Sequence, residues 1–135
     1  MSRKSKGINA ERDLIHKFWG TKIWSAIRVA GSGSMKYPSA DILATDKSRR
    51  LAIECKTCGE NNKYLTKEEL DQLKTFAELF NAEPWIAVRF DREEWYFLKV
   101  EDLENSGTNL VVSLDIAKNK GLLFEEIIKY SKGHE

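Results

Sequence analysis

Long apolar runs are missing from this 135-residue chain. No stretch approaches the roughly 20 residues that span a bilayer, so no membrane partner is expected. The charged N-terminus has no apolar stretch behind it, so a secretory leader is not expected and a cytoplasmic location follows as the default. Cysteine is scarce. Cys55 and Cys58 make one C-x-x-C, and the two histidines, His16 and His134, lie far from it in sequence. A closed zinc site takes about four ligands, so zinc is not expected. A redox C-x-x-C opens a helix after a strand. Cys55 instead falls inside a strand pattern, and the pair reads as a buried thiol beside a loop thiol. Net charge is nearly absent as well: 22 basic residues against 21 acidic leave +1, so total charge gives no argument for nucleic acid.

What is present fits one domain over residues 1–135, with 41% hydrophobic residues to build a core. Charge is distributed more tellingly than its sum. Arg3, Lys4 and Lys6 form a basic arm, and Lys47, Arg49 and Arg50 crowd one turn. Asn9 is placed to cap a helix carrying Leu14, Ile15, Phe18 and Trp19, stopped by Gly20. Ile23 to Ala30 reads as a strand, followed by a loop beginning Gly31-Ser32-Gly33-Ser34. Two short strands follow, one through Ile42-Leu43-Ala44 and one through Leu51-Ala52-Ile53. Gly59 to Tyr64 reads as a polar loop. Thr66-Lys67-Glu68-Glu69 matches a capping box. The helix it opens carries Leu70, Leu73, Phe76, Ala77 and Phe80 and ends near Asn81, before Pro84. Trp85–Phe90 and Trp95–Val100 form a hairpin, Leu110–Leu114 a further strand, and Leu122–Tyr130 a last helix with Leu123, Ile127 and Tyr130 inward. The order predicts a mixed α/β sheet with helices on its faces.

The chemistry concentrates on two strands. Asp41 opens one apolar run, and Glu54-Cys55-Lys56 closes the other. Side chains alternate along a strand, so Glu54 and Lys56 share a face while Cys55 points away with Leu51 and Ile53. Mg²⁺ takes oxygen ligands and keeps several waters, so two carboxylates suffice to hold it. Asp41 and Glu54 are the natural ligands, and the backbone carbonyl of Cys55 adds a third. Lys56 is placed to orient an attacking water or to stabilise charge at phosphorus. A solvated strand pair with a surface ion pair is the plain alternative, at about even odds for the motif alone. Against it, acidic residues are poor strand formers and here interrupt apolar runs. Glu11 either joins this set or simply complements its helix dipole. Arg28 sits inside an apolar strand, where a charge needs a partner. The glycines and serines of the following loop suit a phosphate or a flexible connector.

Together these residues resemble the archaeal Holliday junction resolvase family of the restriction-endonuclease-like superfamily. Glu11-Arg12 resembles the first helix of that family, and Arg28-Val29-Ala30-Gly31-Ser32 its arginine strand and serine loop. Asp41-Ile42-Leu43-Ala44 and Ile53-Glu54-Cys55-Lys56 are similar to its nuclease core. Leu73-Lys74-Thr75-Phe76 and Pro84 to Phe90 are similar to its second helix and next strand. Ala40 departs from the proline that many relatives carry before the aspartate. The resemblance implies a restriction-endonuclease-like mixed sheet flanked by helices. It also implies a homodimeric, Mg²⁺-dependent endonuclease, with Mn²⁺ as a substitute, that nicks a four-way DNA junction symmetrically. By that resemblance Glu11, Asp41, Glu54 and Lys56 form the active site, with Glu11, Asp41 and Glu54 on the metal. One of Ser32 and Ser34 supports them, with Ser34 set in the catalytic group and Ser32 among the DNA contacts. Arg3, Lys4, Lys6, Arg12, Arg28 and Lys36 complete the DNA contacts, and Lys47, Arg49 and Arg50 could line the same surface. Phe76 and Phe80 are assigned to the dimer interface. Another nuclease of the same fold, or a non-catalytic junction-binding dimer, are the competing readings.

Overall fold

The chain runs α1 (Arg3–Gly20), β1 (Ser25–Arg28), β2 (Ile42–Thr45), β3 (Arg50–Cys58), β4 (Asn62–Thr66) and α2 (Lys67–Phe80). It continues through β5 (Glu83–Phe90), β6 (Trp95–Leu98), a 3₁₀ turn (Val100–Asp102), β7 (Glu104–Ser106), β8 (Asn109–Ser113), α3 (Leu114–Lys120) and α4 (Phe124–Ile127). This is a computed structural model, and it describes residues 3–31 and 36–130, with side chains from Lys6 onward. The main sheet has the order β1-β2-β3-β5-β6. β3 and β5 are parallel and the other neighbours antiparallel, with β4 and α2 forming the crossover between the parallel pair. β4, β8 and β7 make a second, three-stranded sheet.

The alternation along β3 sorts the core into two layers. Leu51 and Ile53 are fully buried on the α1 side, among Ala10, Leu14, Phe18, Trp24 and Phe124, and Cys55 packs on that layer. Ala52 and Cys58 are buried on the other side, with Leu70, Leu73 and Ala77 of α2. The two cysteines therefore lie on opposite faces of one strand and are both free thiols. Cys58 is held by its loop instead, its Sγ donating toward the carbonyls of Glu60 (3.3 Å) and Asn62 (3.0 Å).

The capping box at Thr66 forms as the sequence predicts: Thr66 Oγ1 accepts the Glu69 N–H at 3.0 Å, and Glu69 Oε1 accepts the Thr66 N–H at 3.2 Å. Asn81 ends α2 in a left-handed conformation, φ 58°. Elsewhere the boundaries differ. α1 begins six residues before Asn9, running through Gly7, and Lys6 in that extension pairs with Asp91 at 3.0 Å. β1 is shorter than the apolar run that predicts it. Part of the polar loop after Gly59 is β4, drawn into a ladder by β8. The last helix shortens to α4, and before it stands a helix the sequence does not announce, α3, capped by Ser113 onto the Ile116 N–H and separated from α4 by a bridge between Leu122 and Phe97.

Candidate active site

The hairpin register decides the site. Ile42 pairs with Ile53, so Asp41, one residue before β2, comes opposite Glu54. The Asp41 backbone is fixed on both sides: its N–H donates to the Ile53 carbonyl (2.9 Å) and its carbonyl accepts from the Val29 N–H (2.8 Å). Its Oδ2 accepts the Cys55 N–H at 2.8 Å. Strand β3 thus orients the aspartate with its own backbone and sets it opposite Glu54. Burial first, and the Asp41 charge second, push the Glu54 carboxyl up to about 8.

Lys56 shares the Glu54 face. Its Nζ lies 3.7 Å from Glu54 and 2.5 Å from Glu69 Oε2. Burial alone would lower the lysine, but the Glu69 hydrogen bond and charge, with Glu54 and Asp41 behind them, hold it above its ordinary value. Glu69 is lowered in return: the Lys56 and Thr66 hydrogen bonds outweigh its own burial.

Glu11 reaches the same end of the sheet from α1. Burial and then the Asp41 charge raise its carboxyl, while Arg28 opposes both. Arg28 Nε donates to Glu11 Oε1 at 3.1 Å, which answers the question of what a charge in β1 pairs with. The Cys55 thiol, buried beside this group of carboxylates, is pushed well above the usual thiol range by burial first and then by Asp41, Glu11 and Glu54. It is kept protonated and is no nucleophile.

A groove of about 650 Å³ opens beside these residues, lined among others by Lys6, Glu11, Lys56, Lys63 and Tyr64. Lys6 lines this groove with its ammonium on Asp91. Lys36 is exposed near the Tyr37 ring, 6.0 Å from its centroid, and Arg12 is exposed on α1. Ser32 and Ser34, and the side chains of Arg3 and Lys4, lie outside the described residues. The turn after β2 does not join this surface. It sits at the other end of the hairpin, five residues from Glu54 and so roughly 16 Å along the strand. Arg49 is consumed there: it donates to both Glu83 oxygens at 2.9 Å and to the Ile127 carbonyl at 2.8 Å, with its guanidinium over the Trp24 and Tyr130 rings. The expectation that Arg49 faces DNA is corrected by these bonds.

Among the described residues no group of three or more His, Cys, Asp or Glu side chains is gathered as a ready metal cage. Mg²⁺ asks for less, being bound by one or two carboxylates and water. The carboxyl groups of Asp41 and Glu54, opposite one another across the β2–β3 pairing, match that donor set.

A family model described as archaeal Holliday junction resolvase (Hjc) matches residues 2–135. The chain belongs to the archaeal Holliday junction resolvase family. It is 40% identical over 130 residues to the crossover junction endodeoxyribonuclease Hjc of Archaeoglobus fulgidus, covering 91% of this chain and 95% of that one. It is 34% identical over 118 residues to the Hje enzyme of Saccharolobus islandicus, covering 83% and 87%. A solved structure of A. fulgidus Hjc, described as a Holliday junction resolvase from an archaeal hyperthermophile, superposes with a TM-score of 0.83 at 37% identity, covering 90% of this chain and 97% of that one. The fold is accordingly the restriction-endonuclease-like mixed sheet of this family. Beside the predicted site residues stand three that the sequence does not reveal: Glu69, bonded to Lys56, and Lys63 and Tyr64, which line the groove. Glu69 reads only as a helix cap, and the other two fall in a stretch too polar to read as a strand.

Proposed function

We propose that this chain is a homodimeric, Mg²⁺-dependent endonuclease acting inside the cell, which resolves four-way DNA junctions by paired symmetric nicks. The convergence of Asp41, Glu54 and Lys56 at one end of β2 and β3 carries this reading, in a chain of a family whose members are named for crossover-junction cleavage. Asp41 and Glu54 would hold Mg²⁺ with the Cys55 carbonyl, and Glu11 borders them. The bound ion supplies a polarised phosphoryl oxygen and an acidified water. Asp41 is kept in place by the Cys55 N–H, so the strand itself sets where the scissile phosphate comes to rest. Lys56 presents an ammonium to the phosphate and to the attacking water. Arg28 holds Glu11 toward the site and offsets part of its charge. Arg12, Lys6, Lys36 and the serines of the loop grip flanking phosphates.

A second copy fits an apolar face on α2 and the sheet edge. Phe76 and Phe80 stack with centroids 5.1 Å apart at 18°. Phe76 is half-buried on the core, and Phe80 is 46% exposed. Beside them a shallow pocket of about 250 Å³ is lined by Ile27, Leu43 and Phe80, and Ile27 is 59% exposed. A two-fold dimer presents two identical sites to a nearly two-fold junction.

The test is cleavage of an end-labelled four-way junction with and without Mg²⁺. Asp41→Asn and Glu54→Ala should each lose at least about 100-fold in rate while still binding the junction. Parental cleavage by Glu54→Ala would sink the assignment, and equal cutting of linear duplex would move the substrate to another class of DNA.

A further inference from the structure

We infer that Glu69 is a positioning residue for Lys56, so that the cap of α2 aims the lysine at the scissile phosphate. This rests on the role of Lys56 just given. Lysine carries its charge on a flexible four-carbon stem, and on a half-buried strand face many orientations of that stem compete. Two carboxylates lie within reach. Glu54, at 3.7 Å, stands beyond hydrogen-bond reach. Glu69, at 2.5 Å, makes the hydrogen bond.

The two oxygens of Glu69 divide their work. Oε1 takes the Thr66 N–H and Oγ1, both at 3.2 Å, and closes the capping box. Oε2 takes the Lys56 ammonium. The cap therefore fixes the glutamate rotamer, and the glutamate fixes the lysine. An ammonium has three donors. One is spent on Glu69, and two remain for a phosphate oxygen and a water. Glu69 does this from outside the pair of carboxylates that would hold the metal, so the lysine keeps its anchor whatever those two bind.

The experiment compares Glu69→Gln, Lys56→Ala and Asp46→Ala in single-turnover cleavage of a labelled junction with Mg²⁺. Affinity for the junction and melting temperature are measured beside the rate. Glutamine also serves at this position of a capping box, and its single carbonyl oxygen cannot accept from both Thr66 and Lys56, so with the cap kept, which an unchanged melting temperature shows, Glu69→Gln leaves Lys56 without its charged acceptor. Asp46 holds the distant turn by accepting the Ser48 and Arg49 N–H groups at 3.0 and 2.8 Å, and its loss destabilises without touching the site. Glu69→Gln should cleave about 10- to 100-fold more slowly at saturation, as supporting partners of catalytic groups commonly do, with affinity within about twofold. Asp46→Ala should cleave at the parental rate below its melting temperature. If Glu69→Gln cleaves as fast as the parent or faster while Lys56→Ala is slow, the inference is wrong and the lysine assignment stands. If Lys56→Ala is itself as fast as the parent, the underlying assignment fails. Equal slowing in Glu69→Gln and Asp46→Ala would reduce the effect to stability.

Discussion

At Glu54 the site and the fold pull against each other. Its carboxyl is pushed up to about 8 from an ordinary 4.5. A carboxyl raised on folding favours the folded state while it is protonated. That contribution is complete below about 4.5 and is lost as the pH climbs through about 8. In EDTA the parent should therefore melt lower at about pH 9 than at about pH 5, and Glu54→Gln, neutral throughout, should flatten this dependence and be the more stable protein at the alkaline end. Thermal melts of both across that range decide it, and an unchanged slope in Glu54→Gln would remove the basis. By the same logic Mg²⁺ should raise the melting temperature of the parent at about pH 8 and leave Asp41→Asn unmoved. Asp41, Glu54 and Lys56 are legible in the sequence because strand alternation is local and two apolar runs frame them. The partner of Lys56 is not legible, since it comes from the next helix and is fixed only by packing.

Among the elements, α2 was the easiest to read and β4 the hardest. Thr66 and Glu69 announce the start of α2, and Leu70, Leu73 and Ala77 trace its buried stripe. β4 has the sequence Asn-Lys-Tyr-Leu-Thr, which carries a single buried apolar residue, Leu65. It is a strand because β8 offers it a ladder, a case of tertiary context overriding propensity. The end of α2 carries its own prediction. Phe80→Glu sets a charge on the apolar face and should weaken self-association at least about 30-fold, as loss of a central aromatic anchor does. Sedimentation velocity reads the outcome, and a dimer of undiminished affinity would place the two-fold elsewhere.

For the whole molecule, near-neutral charge conceals an uneven surface. Lys6 and Lys63 line the groove beside the site, while Arg49 at the opposite end is spent on Glu83 and Ile127. Junction affinity should thus fall with salt through the groove side. Lys63→Ala should reduce the log–log salt slope by about 1, and Lys47→Ala on the far turn should leave it unchanged. Equal effects in fluorescence-anisotropy titrations would put the DNA across the far turn. The ordered combination of motifs was readable along the chain, whereas this front-to-back asymmetry depends on which basic residues the fold brings to the groove. One last consequence concerns heat. Helix ends open locally before a domain melts, and the first turn of α2 holds Lys56, the lysine proposed to act at the phosphate, through Glu69. Warming should therefore silence cutting before it releases DNA, leaving an intact clamp with a blunted blade. Parallel cleavage and binding curves against temperature would show whether the two are lost separately or together.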